Sequence, residues 1–163
     1  MLLLSGPEPQ RSLLEALLLQ EVAAFKGAVL LVRGLPGGGT IADLPPHITV
    51  APHLAANKLQ EAICQSKLVI CRSGYTSIMD LLRLNAMAVL VPTPGQTEQE
   101  YLAQHLAAKG WFATLPQRNF LLATALQLAA ALPQRQRPFS TGDFEQFVQV
   151  LDRESGFAAA TSS

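Results

Sequence analysis

The residues suited to chemistry fall in three short polar runs, each between an apolar stretch and an amphipathic one. The most telling is Cys71-Arg72-Ser73-Gly74-Tyr75-Thr76-Ser77, which follows apolar residues 68–71 and opens a helical pattern. The first amides of a helix have no intrahelical acceptor, so they offer donors to an anion. Gly74 allows close approach to the backbone; Ser73, Thr76 and Ser77 add hydroxyls, and Arg72 adds a planar fork of donors. Such a turn suits a diphosphate. It suits equally an ordinary helix start in which Ser73 or Thr76 is the N-cap.

Asp80 lies four residues beyond Thr76 and so shares its helical face. A carboxylate there can accept from the two hydroxyls of a ribose, as an acidic residue does in dinucleotide folds. It can also be an exposed Asp favoured by the helix dipole. The run Pro92-Thr93-Pro94-Gly95-Gln96-Thr97-Glu98-Gln99-Glu100 fixes a loop and then opens a helix with amides and carboxylates able to read sugar hydroxyls. Its plainer reading is a capping box pairing Thr97 with Glu100. Ser5 and Gly6, with Arg11 nearby, can close over phosphates, although a solvated Arg11 is the commoner outcome.

Other chemistries are excluded. His47, His53 and His105 are scattered and form no metal-ligand spacing, and no Gly-x-Ser-x-Gly nucleophile turn occurs. Gly37-Gly38-Gly39 leads into Thr40-Ile41-Ala42 rather than Lys-Ser or Lys-Thr, so a P-loop is rejected. Cys64 and Cys71 sit among apolar residues and are expected as buried free thiols. Twelve basic residues balance twelve acidic ones, without the footprint of a nucleic-acid binder. No apolar run reaches membrane-spanning length, and Met1-Leu2-Leu3-Leu4 is too short for a signal peptide. A cytoplasmic location is expected, with membrane contact only at the inner face and through a partner or lipid acceptor.

The elements that must position these runs follow from hydrophobic periodicity. Short apolar stretches at 2–4, 28–32, 48–50, 68–71, 88–91 and 112–113 read as strands. Amphipathic patterns at about 9–25, 57–65, 76–84, 98–109, 121–132 and 143–151 read as helices, with Gly110 as a C-terminal cap and Thr141 or Asp143 as an N-cap. Alternating βα units predict an α/β fold, a Rossmann-like parallel sheet with helices on both faces. Hydrophobic residues are 49% of the chain and charged ones 15%, which fits a sheet buried on both sides. One domain over 1–156 and a frayed tail over 157–163 are expected. Ligands bind such sheets beyond the carboxyl ends of the strands, which is where all three polar runs lie.

With the runs in place, residues 68–103, LVICRSGYTSIMDLLRLNAMAVLVPTPGQTEQEYLA, resemble the C-terminal, donor-binding domain of family 28 glycosyltransferases, the family of the peptidoglycan UDP-GlcNAc transferase. The likeness is carried in order by the Arg72-Ser73-Gly74 turn, the acidic Asp80, the Val91-Pro92 loop and the pair Gln99-Glu100. It implies the C-terminal half of a GT-B fold that binds a UDP-sugar, UDP-GlcNAc or UDP-hexose, for hexosyl transfer to an acceptor. It further implies that Arg72, Ser73, Gly74, Thr76 and Ser77 face the diphosphate, with Ser5 and Gly6 from the first loop. Asp80 would hold the ribose, His53 and Leu54 the uracil, and Thr93, Gln99 and Glu100 the sugar. No bound metal or other cofactor is implied, and no catalytic residue can be named. The partner would be an N-terminal acceptor-binding domain or a separate subunit, without which the donor domain is expected to be inactive. The chain departs from the family in Pro7 and Pro9, which remove donors from the first loop, in Asp80 for Glu and in Glu100 for Gln. A non-catalytic nucleotide-sugar-binding or scaffold domain, or half of a sugar-nucleotide epimerase, is the alternative.

Overall fold

The computed structural model describes residues 1–39 and 41–133. Helix 143–151, its caps and the tail at 157–163 lie outside the described residues. Six strands run in chain order: β1 (Leu2–Leu3), β2 (Val29–Val32), β3 (Ile48–Ala51), β4 (Val69–Cys71), β5 (Ala88–Leu90) and β6 (Ala113–Thr114). The α-helices between and after them are α1 (Gln10–Val22), α2 (Ala56–Gln65), α3 (Tyr75–Arg83), α4 (Thr97–Ala108) and α5 (Leu122–Ala131). A 3-10 turn at Gln117–Asn119, absent from the periodicity, joins β6 to α5.

The strands form one sheet in the order β3-β2-β1-β4-β5-β6, with every pairing parallel. Both faces are covered. Leu3, Val32, Val69, Cys71 and Leu90 pack against Ile63 of α2, Ile78 and Leu82 of α3, and Leu102 and Leu106 of α4. Their strand neighbours Leu4, Leu31, Ile70, Val89 and Val91 point to the other side, against Leu14 and Leu18 of α1 and Ala125 and Ala129 of α5. Alternation along each strand therefore feeds two cores, which is why the strands read as continuous apolar runs.

Two helix ends show how the chain is stopped and returned to the sheet. After α4, Gly110 takes φ +66, its N–H donates to Ala107 and the next, Trp111, donates to Leu106. After α3, Asn85 does the same at φ +50, with Asn85 N–H on Leu82 O and Ala86 N–H on Leu81 O. Both are Schellman turns, and glycine or asparagine is the side chain least opposed to their left-handed residue. Cys71 lies in the core as expected, but Cys64 is exposed, because it falls on the outer face of α2 next to the inward Ile63.

Candidate functional site

The sheet order reverses between β1 and β4. The segment leaving β1 becomes α1 on one face, and that leaving β4 becomes α3 on the other, so a crevice opens between them. Its walls are the expected first loop, with Ser5 half-buried and Gly6 exposed at φ +100, and the Arg72-Ser73-Gly74 turn.

The start of α3 has the form an anion site requires. Gly74 is the N-cap in extended geometry, φ −72 and ψ 144, and no side chain caps the helix. The first helical bond is from Ile78 N–H to Gly74 O, so the amides of Tyr75, Thr76 and Ser77 precede it. The Gly74 backbone conformation is open to any residue. What the missing side chain provides is room, since nothing lies within 4 Å of where a Cβ would stand. Tyr75 and Thr76 are exposed, and Ser77 and Asp80 are half-buried one turn apart. The two candidate N-caps do not cap: Ser73 Oγ donates to Gln99 O at 2.8 Å instead.

Arg72 and Ser73, expected to face a ligand, are turned inward, 1% and 0% exposed. Arg72 Nη1 donates to Val91 O and Pro92 O, both at 3.2 Å, and Nη2 donates to Gln10 O at 2.7 Å. Burial pulls its pKa down to about 10, which leaves it charged at neutral pH. Arg11 is likewise neither solvated nor aimed at the crevice. Its guanidinium is 5% exposed and bonds Glu8 at 2.7 Å and Glu15 at 2.9 Å. Arg33 reaches the same Glu15 carboxylate through two nitrogens at 2.8 Å. Burial pushes the Glu15 carboxyl up, but the bonds from Arg33 and Arg11 outweigh it and hold the group below the usual range.

The loop after β5 is organised by Gln99. Its Oε1 accepts from both the N–H and the hydroxyl of Thr93 at 3.0 Å, and its Nε2 donates to Gln96 Oε1 at 2.6 Å. Thr93 is 2% exposed, so Gln99 and Thr93 bond each other. The capping box does not form: Glu100 accepts from Gly95 N–H at 3.2 Å, and no side chain caps α4. Glu100 instead borders a cavity of about 460 Å³ with Pro92, Pro94, Gln104, Gln117 and Arg118. This hollow lies between α4 and the segment that follows β6. Applying the carboxyl-end rule to the sixth strand as well would have pointed to it.

His53 and Leu54 are not brought to this cluster. They follow β3, the outermost strand, three places from β4 and so roughly 14 Å across the sheet. His53 is exposed, while Leu54 packs on the α2–α4 core. Among the described residues no His, Cys, Asp and Glu group has metal-binding geometry, and no helix is long and apolar enough to cross a membrane.

A six-stranded parallel sheet in this order with helices on both faces is the architecture of one half of a GT-B glycosyltransferase. The fold superposes on a glycotransferase of kitacinnamycin at a TM-score of 0.60 and 17% identity, over 91% of this chain and 37% of the other. It superposes on the glycosyltransferase SnogD from Streptomyces nogalater at 0.54 and 16%, over 81% and 39%. The glycosyltransferase family 28 C-terminal domain matches residues 48–151, well over half the chain, and the chain belongs to that family. The UDP-N-acetylglucosamine–N-acetylmuramyl-(pentapeptide) pyrophosphoryl-undecaprenol N-acetylglucosamine transferase of Desulforudis audaxviator (strain MP104C) is 35% identical over 100 residues, 60% of this chain and 26% of that protein. Its counterpart from Pasteurella multocida (strain Pm70) is 31% identical over 124 residues, 73% of this chain and 34% of that protein. The chain thus spans about a fifth to a third of the length of the curated relatives it matches.

Proposed function

We propose that the chain is the donor-binding half of a glycosyltransferase: it holds a UDP-sugar and presents the hexose to an acceptor bound by an N-terminal domain or a separate subunit. The observation that carries this reading is the start of α3, where three amides precede the first helical bond, no side chain caps the helix, and the space beside Gly74 is empty. Amide donors and the positive end of a helix dipole favour a pyrophosphate without a metal. They also stabilise the charge that builds on the leaving UDP as the glycosidic bond breaks, which is how this half contributes to transfer.

In this arrangement the Gly74 backbone, Thr76 and Ser77 contact the diphosphate, joined by Ser5 and Gly6 across the crevice. Asp80, half-buried one turn along, accepts from the ribose hydroxyls. The base extends toward His53 and Leu54 at the β3 edge, and Glu100 lies on the sugar side. The relatives named above are N-acetylglucosamine transferases, which supports UDP-GlcNAc as the first donor to try. Residues 1–156 form the donor domain, and any association with a membrane face comes through the partner or a lipid acceptor. Titration calorimetry with UDP, UDP-GlcNAc and UDP-glucose tests the reading. Saturable heat with all three is expected, and no heat at millimolar ligand from folded protein would refute it.

A further inference from the structure

We propose that Arg72 is a positioning residue: its side chain fixes the crevice walls from beneath and never touches the donor. This rests on the donor-site reading for its consequence, but the geometry stands by itself. The sheet ladder stops at Leu3, Cys71 and Leu90, and beyond that level the segments leaving β1, β4 and β5 have few backbone bonds to one another. Arg72 takes over there. One guanidinium joins Val91 and Pro92 at the end of β5 to Gln10 at the start of α1, 62 residues away in sequence.

Ser73 reaches the other way, to Gln99 in α4. Two successive side chains of one turn therefore tie the start of α3 to the loop after β5, to α1 on the opposite face and to α4. Three carbonyls around a planar cation need the fork geometry of arginine, because a lysine ammonium is a point donor that cannot span them equally. The fit is also incomplete. Arg72 Nε and Gln10 Oε1 are each buried without a hydrogen-bond partner.

A direct ligand and a positioning residue respond differently to substitution. Arg72→Lys keeps the charge and loses the fork. Arg72→Met keeps the stem and removes both the buried charge and all three hydrogen bonds. The test combines amide hydrogen exchange on the ligand-free 163-residue chain with UDP titration at two salt concentrations. In both variants exchange is expected to quicken at the backbone amides of residues 11–13, 91, 93, 95, 96 and 100 while β2 keeps its protection. UDP affinity should fall because the crevice walls are no longer held in their binding geometry, with the salt dependence of wild type. Unchanged protection in either variant overturns the proposal, whether UDP affinity falls or holds. A flattened salt dependence in Arg72→Met also overturns it, since that marks loss of a charge facing the phosphates. If wild type binds no UDP, the donor reading fails while the exchange result still decides the role of Arg72.

Discussion

Replacing Gln99 by alanine tests whether one amide organises the loop after β5. The side chain accepts two hydrogen bonds from Thr93, N–H and hydroxyl, both at 3.0 Å, and Thr93 is 2% exposed. Without Gln99 the hydroxyl can rotate toward another acceptor, but the buried N–H cannot turn and is left unmade. A buried donor stripped of its partner costs ~1–3 kcal/mol, so a destabilisation of about 2 kcal/mol is expected. For a chain of this size that lowers Tm by roughly 4–8 °C. Gln99→Glu supplies the same two acceptors, and the Gln96 amide can turn its NH2 toward the new carboxylate, so it should lose less than about half as much. Urea unfolding of the three proteins, read as a change in midpoint at constant slope, is the assay. A loss below about 0.5 kcal/mol for Gln99→Ala, the ordinary range of surface substitutions, would refute the reasoning.

Three further outcomes follow from the same structure. Asp80→Ala should weaken UDP binding by ~1–3 kcal/mol, the cost of charge-assisted bonds to the ribose left unmade, and calorimetry showing wild-type affinity would remove Asp80 from the site. Glu15 is held below the usual carboxylate range, so its stabilisation is present above the unfolded pKa and fades as pH falls through the lower folded value. Glu15→Gln should therefore cost about 2–3 kcal/mol at pH 7 and converge with wild type in acid, in unfolding measured across pH. Cys71 is buried with its pKa pushed up to about 12, whereas Cys64 is exposed. A thiol reagent should modify one cysteine quickly in the native chain and both after denaturation.

The sheet was legible because its strands are short, apolar and regularly spaced by amphipathic helices, and because a parallel sheet forces its ligand loops to one edge. Element ends shifted by a residue or two, as at α3, expected from 76 and observed from Tyr75. Side-chain direction was less legible. Arg72 and Ser73 sit in a turn whose composition suits an anion, yet their partners are carbonyls of Gln10, Val91, Pro92 and Gln99. A carbonyl carries no residue-type signal, so nothing in the spacing could reveal those bonds. The same holds for Arg11, whose burial depends on Glu15 and on packing between α1 and the end of β2. Glu8, Arg11 and Glu15 do lie at helical spacing, a local signal that goes unread when Arg11 is considered alone. The cavity beside α4 was hidden differently, since it is built from residues up to 26 positions apart.

The bare amides at the start of α3 are the proposed receptor of the pyrophosphate. Amide chemical shifts of the isotope-labelled chain, followed during titration with UDP and with uridine, measure this most directly. UDP is expected to move Tyr75, Thr76 and Ser77 most strongly and saturably, and uridine, lacking phosphates, to leave these three nearly still. Shifts centred on the cavity at Pro94, Gln104 and Arg118, with the α3 amides unmoved by UDP, would contradict it.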